Sequence, residues 1–272
     1  SQSSSHATLG KVRKVRPIDD FTESLVNLSN ASEETISPQG VDTIAAAISY
    51  RIQRARKLGL RESLEAKTID LKKAYKQLPV SSASLLHSYL CVRNPDSGSP
   101  EGFQSFVLPF GARAAVQGFC RSAVSLWWVG VVVFWFHWSV FFDDFFLVEV
   151  AECKRHCDLM QRGFFSLLGW QTSIDKEVEF SLVAKALGVQ ISLADAKSGL
   201  LTVGNTQARK DEVGKDIDAV LAESFVQGSR LVSLRGRLLF AESQVFGRSS
   251  EDEGLVSVLQ PQAQGLLEPG AP

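Results

Sequence analysis

From Ser122 to Phe142 the chain runs SAVSLWWVGVVVFWFHWSVFF without a charged residue, bounded by Arg121 on one side and by the adjacent carboxylates Asp143 and Asp144 on the other. About 20 apolar residues suffice for a helix to cross a bilayer, but the same run can be shared between a core helix and a core strand, and periodicity alone does not separate the two. Composition favours sharing. Val, Phe and Trp crowd the second half, a β-rich choice, and the run closes on paired aspartates without the Lys or Arg that anchors a span at the interface. The expectation is a buried helix followed by a buried strand. A membrane-anchored protein held through 122–142 is the remote alternative.

The rest of the composition is that of a folded chain. At 272 residues there is material for one large domain or two modest ones. With 44% hydrophobic and 22% charged residues, Gly 20 and Pro 9, collagen-like, disulfide-scaffold and wholly disordered classes are excluded. Lys+Arg 29 against Asp+Glu 30 leaves a net charge of -1, so any pull on nucleic acid or anionic lipid must be local. Such a place exists: nine basic residues stand against three acidic ones from Arg51 to Lys76. Cys91, Cys120, Cys153 and Cys157 follow no disulfide framework, and the polar start SQSSSHATLG has no secretory h-region. An intracellular setting, cytoplasmic or nuclear and not secreted, is therefore expected.

Read along the chain, KVRKVR suits a strand with one cationic face ahead of Pro17. A helix is expected from Gly40, with Asp42 as N-cap and Gly59 closing it. AKTIDL reads as a short buried strand, and KKAYKQLPV as a turn or helical start ended by Pro79. NPDSGSPEG joins SYLCVR to FQSFVLPF as a hairpin. FFDDFFLVEV reads as strand, acidic turn, strand. Beyond it come a helix over Cys153 to Leu168, a short strand in ALGVQISL, and helices over Ala208 to Ala222 and Ser229 to Gln244. Strands interrupted by helices make the fold class α+β, a sheet with flanking helices.

Asp70 ends one apolar strand, and Asp143 and Asp144 sit between two pairs of phenylalanines. A buried carboxylate is costly unless paired or bound to metal. Three on adjoining strands repel one another, and two divalent cations relieve that repulsion. Oxygen-only ligands select Mg2+ or Mn2+, and two such ions can clamp the attacking and leaving oxygens of a phosphoryl transfer. An Asp-rich hairpin turn beside an unrelated strand-end Asp is the plainer alternative, and spacing alone leaves both open.

The ordered blocks RPIDDFTESLVN, TIDLKKAYKQLPV, LPFGARAAVQGFCR, VFFDDFFLVE, LLGWQTSIDKE and ALGVQI resemble the reverse transcriptase (RNA-directed DNA polymerase) of retroelements, with the flavour of LTR-type and DIRS-like retrotransposons. The resemblance covers Lys11 to Leu193. It implies a right-hand polymerase with an antiparallel palm sheet: fingers and palm over 11–195 and a helical thumb-like continuation over 196–247. A disordered start is expected at 1–10, and a composition rich in Ser, Glu, Gln, Gly and Pro makes a disordered tail the expectation over 248–272. It implies Asp70 and Asp143 as principal metal ligands, with Asp144 beside them. Lys176 would be the proton donor to departing pyrophosphate. Arg16, with Lys14 or Lys11, would hold the triphosphate, Tyr75 would gate the ribose 2′-hydroxyl, and Phe110 and Gly111 would border the incoming nucleotide. Leu187 and Gly188 would contact the primer end. Partners implied are an RNA or DNA template with primer and a dNTP, with template grip from the Arg51 to Lys76 cluster. A membrane partner is not expected, and oligomeric state is not legible.

Other constellations weigh less. Cys153, His156 and Cys157 lack a fourth ligand for a structural zinc site, and no GxSxG or P-loop is present. Little fingers sequence precedes the basic strand, and no second acidic domain follows the helical continuation. The expectation is thus a partial, element-derived copy. Its activity is open, with an inactive nucleic-acid-binding domain as the alternative to a working polymerase.

Overall fold

In the computed structural model, which describes residues 20–29, 35–173, 176–223, 226–243 and 245, the apolar run is divided as its composition implies. The described elements, in chain order, are α1 (Val26–Ser29), α2 (Val41–Lys57), β1 (Leu64–Asp70), α3 (Ser82–Leu85), β2 (Tyr89–Arg93), β3 (Pro100–Gln104), α4 (Arg113–Phe134), β4 (His137–Phe141), β5 (Asp144–Val150), α5 (Lys154–Leu167), β6 (Val183–Ala186), β7 (Val189–Ser192), β8 (Thr202–Asn205), α6 (Gln207–Leu221) and α7 (Gly228–Ser243). They fall into two compact units, Ser1–Ile36 with Lys73–Phe119 and Ser37–Lys72 with Cys120–Pro272.

The second unit is built on the antiparallel sheet β1-β5-β4, with β5 central. Alternation along β5 sends successive side chains to opposite faces. Phe146 and Val148 join Leu64 and Ala66 of β1 beneath Val41, Ile44, Ile48 and Ile52 of α2, whose spacing makes one apolar stripe. The same core takes in Ala184, Ala186, Val189 and Ile191 from the hairpin β6–β7. On the opposite face Phe145 packs against Trp138 (ring centroids 4.9 Å apart) and against Phe165 of α5 (5.4 Å).

Two indoles join the halves of the apolar run. Trp127 Nε1 of α4 donates to the Trp138 carbonyl at 2.9 Å, and Trp138 Nε1 of β4 donates to the Trp127 carbonyl at 3.0 Å. Neither polar tip is left unsatisfied in the core, which is what burying a Trp requires. Among the described residues α4 is the one helix long and apolar enough to cross a membrane, and it is not the buried helix expected: less than a third of its apolar length is buried, and Val124, Trp128, Val132 and Val133 are exposed. The remainder of the run is committed to the sheet.

Several boundaries differ from the sequence reading. Gly40, not Asp42, is the N-cap of α2, and Asp42 lies in the first turn, where its charge suits the helix dipole. Gly59 does follow the helix end in the left-handed region, at φ +77°. β3 begins at Pro100, inside the expected turn cluster; in the turn ahead of it Asn94 Oδ1 accepts from the Asp96 and Ser97 amides, Ser97 Oγ accepts from the Ser99 amide, and Arg93 Nε donates to the Gly98 carbonyl. ALGVQISL holds the expected short strand as β7, but it is preceded there by the turn of the β6–β7 hairpin, with Leu187 and Gly188 at positive φ. The helices expected near 208–222 and 229–244 are α6 and α7. KVRKVR and the segments 1–10 and 248–272 lie outside the described residues.

Candidate active site

Register assembles the acidic residues. In the β1–β5 ladder Asp70 lies directly opposite Asp144, and opposed residues share a face with Cβ atoms about 5 Å apart. Phe141 pairs with Asp144 across β4–β5, so Phe142 and Asp143 form a two-residue hairpin loop. Phe142 occupies the left-handed region at φ +51°, a conformation costing a bulky residue about 1–3 kcal/mol and one concentrated at functional sites. The Leu71 amide meets the Asp143 carbonyl at 3.4 Å, tying the loop to the end of β1. All three aspartates therefore occupy one end of the sheet.

Asp70 is held from the segment beyond α5. Ser173 Oγ donates to Asp70 Oδ2 at 2.7 Å, the Ser173 amide donates to the Asp70 carbonyl at 2.9 Å, and Lys176 Nζ lies 2.5 Å from the same Oδ2. Lys176 is thus brought to the acidic cluster. Asp144 experiences the crowding: desolvation first, then the charges of Asp143 and Asp70, push its carboxyl up to about 6, and Lys176 only partly offsets them. Burial and the Asp143 charge likewise raise the Cys120 thiol.

A raised carboxyl value means that the folded chain holds this proton more tightly than the unfolded chain does. Ionised Asp144 therefore costs stability above about pH 6, a cost that water moderates because Asp144 is exposed at the start of β5, and that is relieved as pH falls toward the ordinary carboxylate range. Asp144→Asn should raise the thermal midpoint by about 2–4 °C at pH 7.5 and leave it unchanged near pH 3.5. Thermal unfolding at the two pH values measures this; an equal shift at both would assign the gain to something other than charge.

Leu187 shares a cleft of about 130 Å³ with Asp144, lined also by Thr68, Ser139, Phe141 and Lys185. Its neighbour Gly188 sits at φ +79°, where any side chain is strained, and the end of the Arg209 side chain lies over it. The hairpin thus presents Leu187 next to the acidic end of the sheet.

Tyr75 and Phe110 belong to the first unit, and the fold brings them together. Tyr75, in a 3-10 turn over Ala74–Gln77, stacks on Phe119 at 4.6 Å and meets Phe110 edge-on at 5.5 Å. Gly111 follows at φ +117°, a conformation that requires glycine. Asn27, which the sequence reading missed, organises this loop: its Nδ2 donates to the Gly111 carbonyl at 3.1 Å and its Oδ1 accepts from the Arg113 amide at 2.9 Å. Ser173 was missed as well, although its block had been singled out. A small hydroxyl there gives no local signal that it will face an aspartate 103 residues away.

Burial divides the Arg51 to Lys76 cluster: Arg54, Arg56, Lys57, Arg61, Lys72, Lys73 and Lys76 are exposed, while Arg51 and Lys67 are drawn inward. Arg51 is bound to Glu62 at 3.1 Å and to Glu149 at 3.0 Å. Lys67, 2% exposed, lies beneath the surface against Asp158 and Glu177. Lys67 is thus closed off from solvent, and Arg51, still partly exposed, is engaged by two carboxylates. Arg16, Lys14 and Lys11 lie outside the described residues.

Three carboxylates crowded enough to raise Asp144 are a donor set suited to a hard divalent cation, which takes oxygen ligands. The ligands are not closed around a point: among the described residues no three His, Cys, Asp or Glu side chains are grouped to hold an ion as they stand, the Cys153, His156 and Cys157 set included. The Lys176 ammonium occupies one oxygen of Asp70.

No protein-family model and no curated protein sequence matches this chain. Among solved structures, that of the foamy viral protease-reverse transcriptase dRH, in complex with double-stranded DNA, is similar at 20% identity and a TM-score of 0.50, over 67% of this chain and 28% of that one. Two further foamy viral protease-reverse transcriptase structures, with RNA/DNA hybrid and with double-stranded DNA, match at 19% and 20% identity, each with a TM-score of 0.49. They cover 67% and 68% of this chain and 22% and 35% of theirs. The chain therefore spans well under half the length of the proteins it resembles. Such a likeness establishes a fold: mixed helix and sheet, reverse-transcriptase-like.

Proposed function

We propose that this chain is the reverse transcriptase domain of a retrotransposon, LTR-type or DIRS-like, and that it performs template-directed DNA synthesis by nucleotidyl transfer. The observation that carries this reading is the register placing Asp70 opposite Asp144, with the Asp143 loop bonded to the end of β1. The reaction is attack of a primer 3′-hydroxyl on the α-phosphate of a dNTP, with pyrophosphate leaving. Two divalent ions, Mg2+ or Mn2+, held by Asp70 and Asp143 with Asp144 beside them, would supply the charge that activates the hydroxyl and neutralises the leaving group.

The protein's own part is positioning and electrostatics. Asp70 is kept in place by Ser173, and Asp143 by the strained hairpin loop. Lys176 brings an ammonium to the site as general acid for pyrophosphate. Leu187 and Gly188 form the turn proposed to receive the primer end, in the cleft that Leu187 shares with Asp144. Tyr75 is proposed to discriminate the sugar and Phe110 with Gly111 to border the base, with a palm over the β1-β5-β4 sheet and a thumb over α6 and α7. The partners proposed are a primed RNA or DNA template and a dNTP. Primer extension on poly(rA)/oligo(dT) with magnesium tests the reading. The wild-type chain should extend the primer and Asp143→Asn should lose at least about 100-fold; equal extension by the variant would remove the carboxylates from the reaction.

A second reading has its own support in the unclosed ligand set and in the Lys176 ammonium on Asp70. An inactive, retroelement-derived domain would fold and bind nucleic acid without polymerising. Titration with Mn2+ separates the two: absence of divalent binding that depends on Asp70 and Asp143, with duplex affinity kept, selects the second.

A further inference from the structure

A fully buried lysine on a palm strand is an expensive choice. Lys67 sits on β1 three residues before Asp70, 2% exposed, and its ammonium lies 2.5 Å from Asp158 Oδ1 of α5 and 3.4 Å from Glu177 Oε1, with the Phe180 ring centroid 5.7 Å away. Arg162, one turn beyond Asp158 on α5, completes a closed circuit: its Nε donates to Asp158 Oδ2 at 2.8 Å and its Nη1 to Glu177 Oε2 at 2.9 Å. Two cations and two anions thus alternate. Burial works against the charge of Asp158, yet the hydrogen bonds from Lys67 and Arg162 outweigh it and hold the carboxyl below its usual value.

The circuit runs from buried Lys67 out to Arg162 and Glu177 at the surface, where water screens its outer bonds, so its contribution to stability is small and its consequence is geometric. What it fixes is the residue next to Lys176. The segment after α5 is fastened to β1 by backbone at two places: the Leu71–Thr172 bridge with the Ser173 amide on the Asp70 carbonyl, and the paired bonds between Ala66 and Ser181. Between these lies Glu177, bound from β1 by Lys67 and from α5 by Arg162, while the preceding residue reaches Asp70.

We propose that the Lys67–Asp158–Arg162–Glu177 circuit is a positioning device which, through Glu177, sets the Lys176 ammonium on the Asp70 carboxylate. Lys67, Asp158, Arg162 and Glu177 touch no reacting atom and act through Lys176. Their effect on turnover rests on the polymerase reading; the placement of Lys176 does not, and the test uses that separation.

The full chain is labelled with 13C at lysine Cε, and the Lys176 signal is assigned by its loss in Lys176→Arg. Asp70→Asn marks where the signal falls when the contact is broken. Glu177→Gln, which keeps shape and removes charge, should move the Lys176 signal to that position, and Lys67→Met should do the same. If Lys67→Met does not fold, Glu177→Gln decides alone. A Lys176 signal unmoved in Glu177→Gln, whatever happens to the unfolding midpoint, overturns the proposal and leaves the circuit a structural tie. In primer extension, Glu177→Gln should lower turnover about 10- to 100-fold with the KM for dNTP within about twofold of wild type, the signature of a misplaced proton donor rather than lost substrate binding. If the wild-type chain extends no primer, the polymerase reading fails while the spectroscopic outcome still judges the circuit.

Discussion

Asp70→Asn should abolish primer extension, by about 1,000-fold or more, while leaving the unfolding midpoint at or slightly above that of the wild type. The two halves of this expectation come from different physics. An asparagine keeps the shape of the side chain and loses the anion, so any ion shared with Asp143 loses a ligand, and charge developing on the transferred phosphoryl group loses its compensation; removal of one preorganised electrostatic partner typically costs 100- to 1,000-fold. Here the same change also releases the Lys176 ammonium, which the Asp70 carboxylate holds at 2.5 Å. Stability responds differently. The Lys176–Asp70 pair is partly exposed, 44% and 24%, and contributes little once water screens it. Removing one of three crowded negative charges also relieves Asp144, whose raised carboxyl records the repulsion. Primer extension and urea unfolding on the same preparation measure both halves. Retained extension would remove Asp70 from the chemistry, and a collapsed midpoint would make it a structural residue instead.

The second large effect is on folding. Gly130→Ala should lower the free energy of unfolding by about 2–3 kcal/mol, as overpacking of a filled interior does. A Cβ at position 130 would lie 2.0 Å from the Trp138 ring at Cζ2 and 2.5 Å from Cε2. The indole has nowhere to retreat, because its Nε1 is bonded to the Trp127 carbonyl and the Trp127 indole is bonded to its own carbonyl in return. Trp138 is also 7% exposed between Phe136 (5.0 Å), Phe145 and Phe165. Relief requires α4 to move away from β4, and β4 leads directly into the loop carrying Asp143. Urea unfolding followed by tryptophan fluorescence reads the loss; an unchanged midpoint would show that α4 and β4 are not packed as closely as described.

Some of this architecture is written locally. Phenylalanines on either side of Asp143 and Asp144 demand two buried strands and leave only a tight loop for the charges, so the β4–β5 hairpin can be read from ten residues. The division of the apolar run likewise follows from where Val, Phe and Trp concentrate, and α6 and α7 from helical patterning. Where polar side chains organise a turn, as Asn94, Ser97 and Arg93 do ahead of β3, or two residues take positive φ, as Leu187 and Gly188 do, the pattern of apolar residues carries no trace of it.

What the sequence determined by itself, then, is which residues must be buried and which charges sit at the ends of buried strands, since burial preference and alternation act over a few residues. Tertiary structure alone decided who meets whom. The β1–β5 register brought Asp70 to Asp144 across 74 positions, the docking of the segment after α5 brought Ser173 and Lys176 to Asp70 across more than 100, and the fold of the first unit brought Asn27 to the Gly111 loop across 84. Tertiary packing also turned Arg51 and Lys67 into partners of Glu149, Asp158 and Glu177. A lysine on a strand is the same letter whether it faces water or a carboxylate beneath a helix; the sheet and α5 packed against it supply the desolvation and the counter-charge that make the difference.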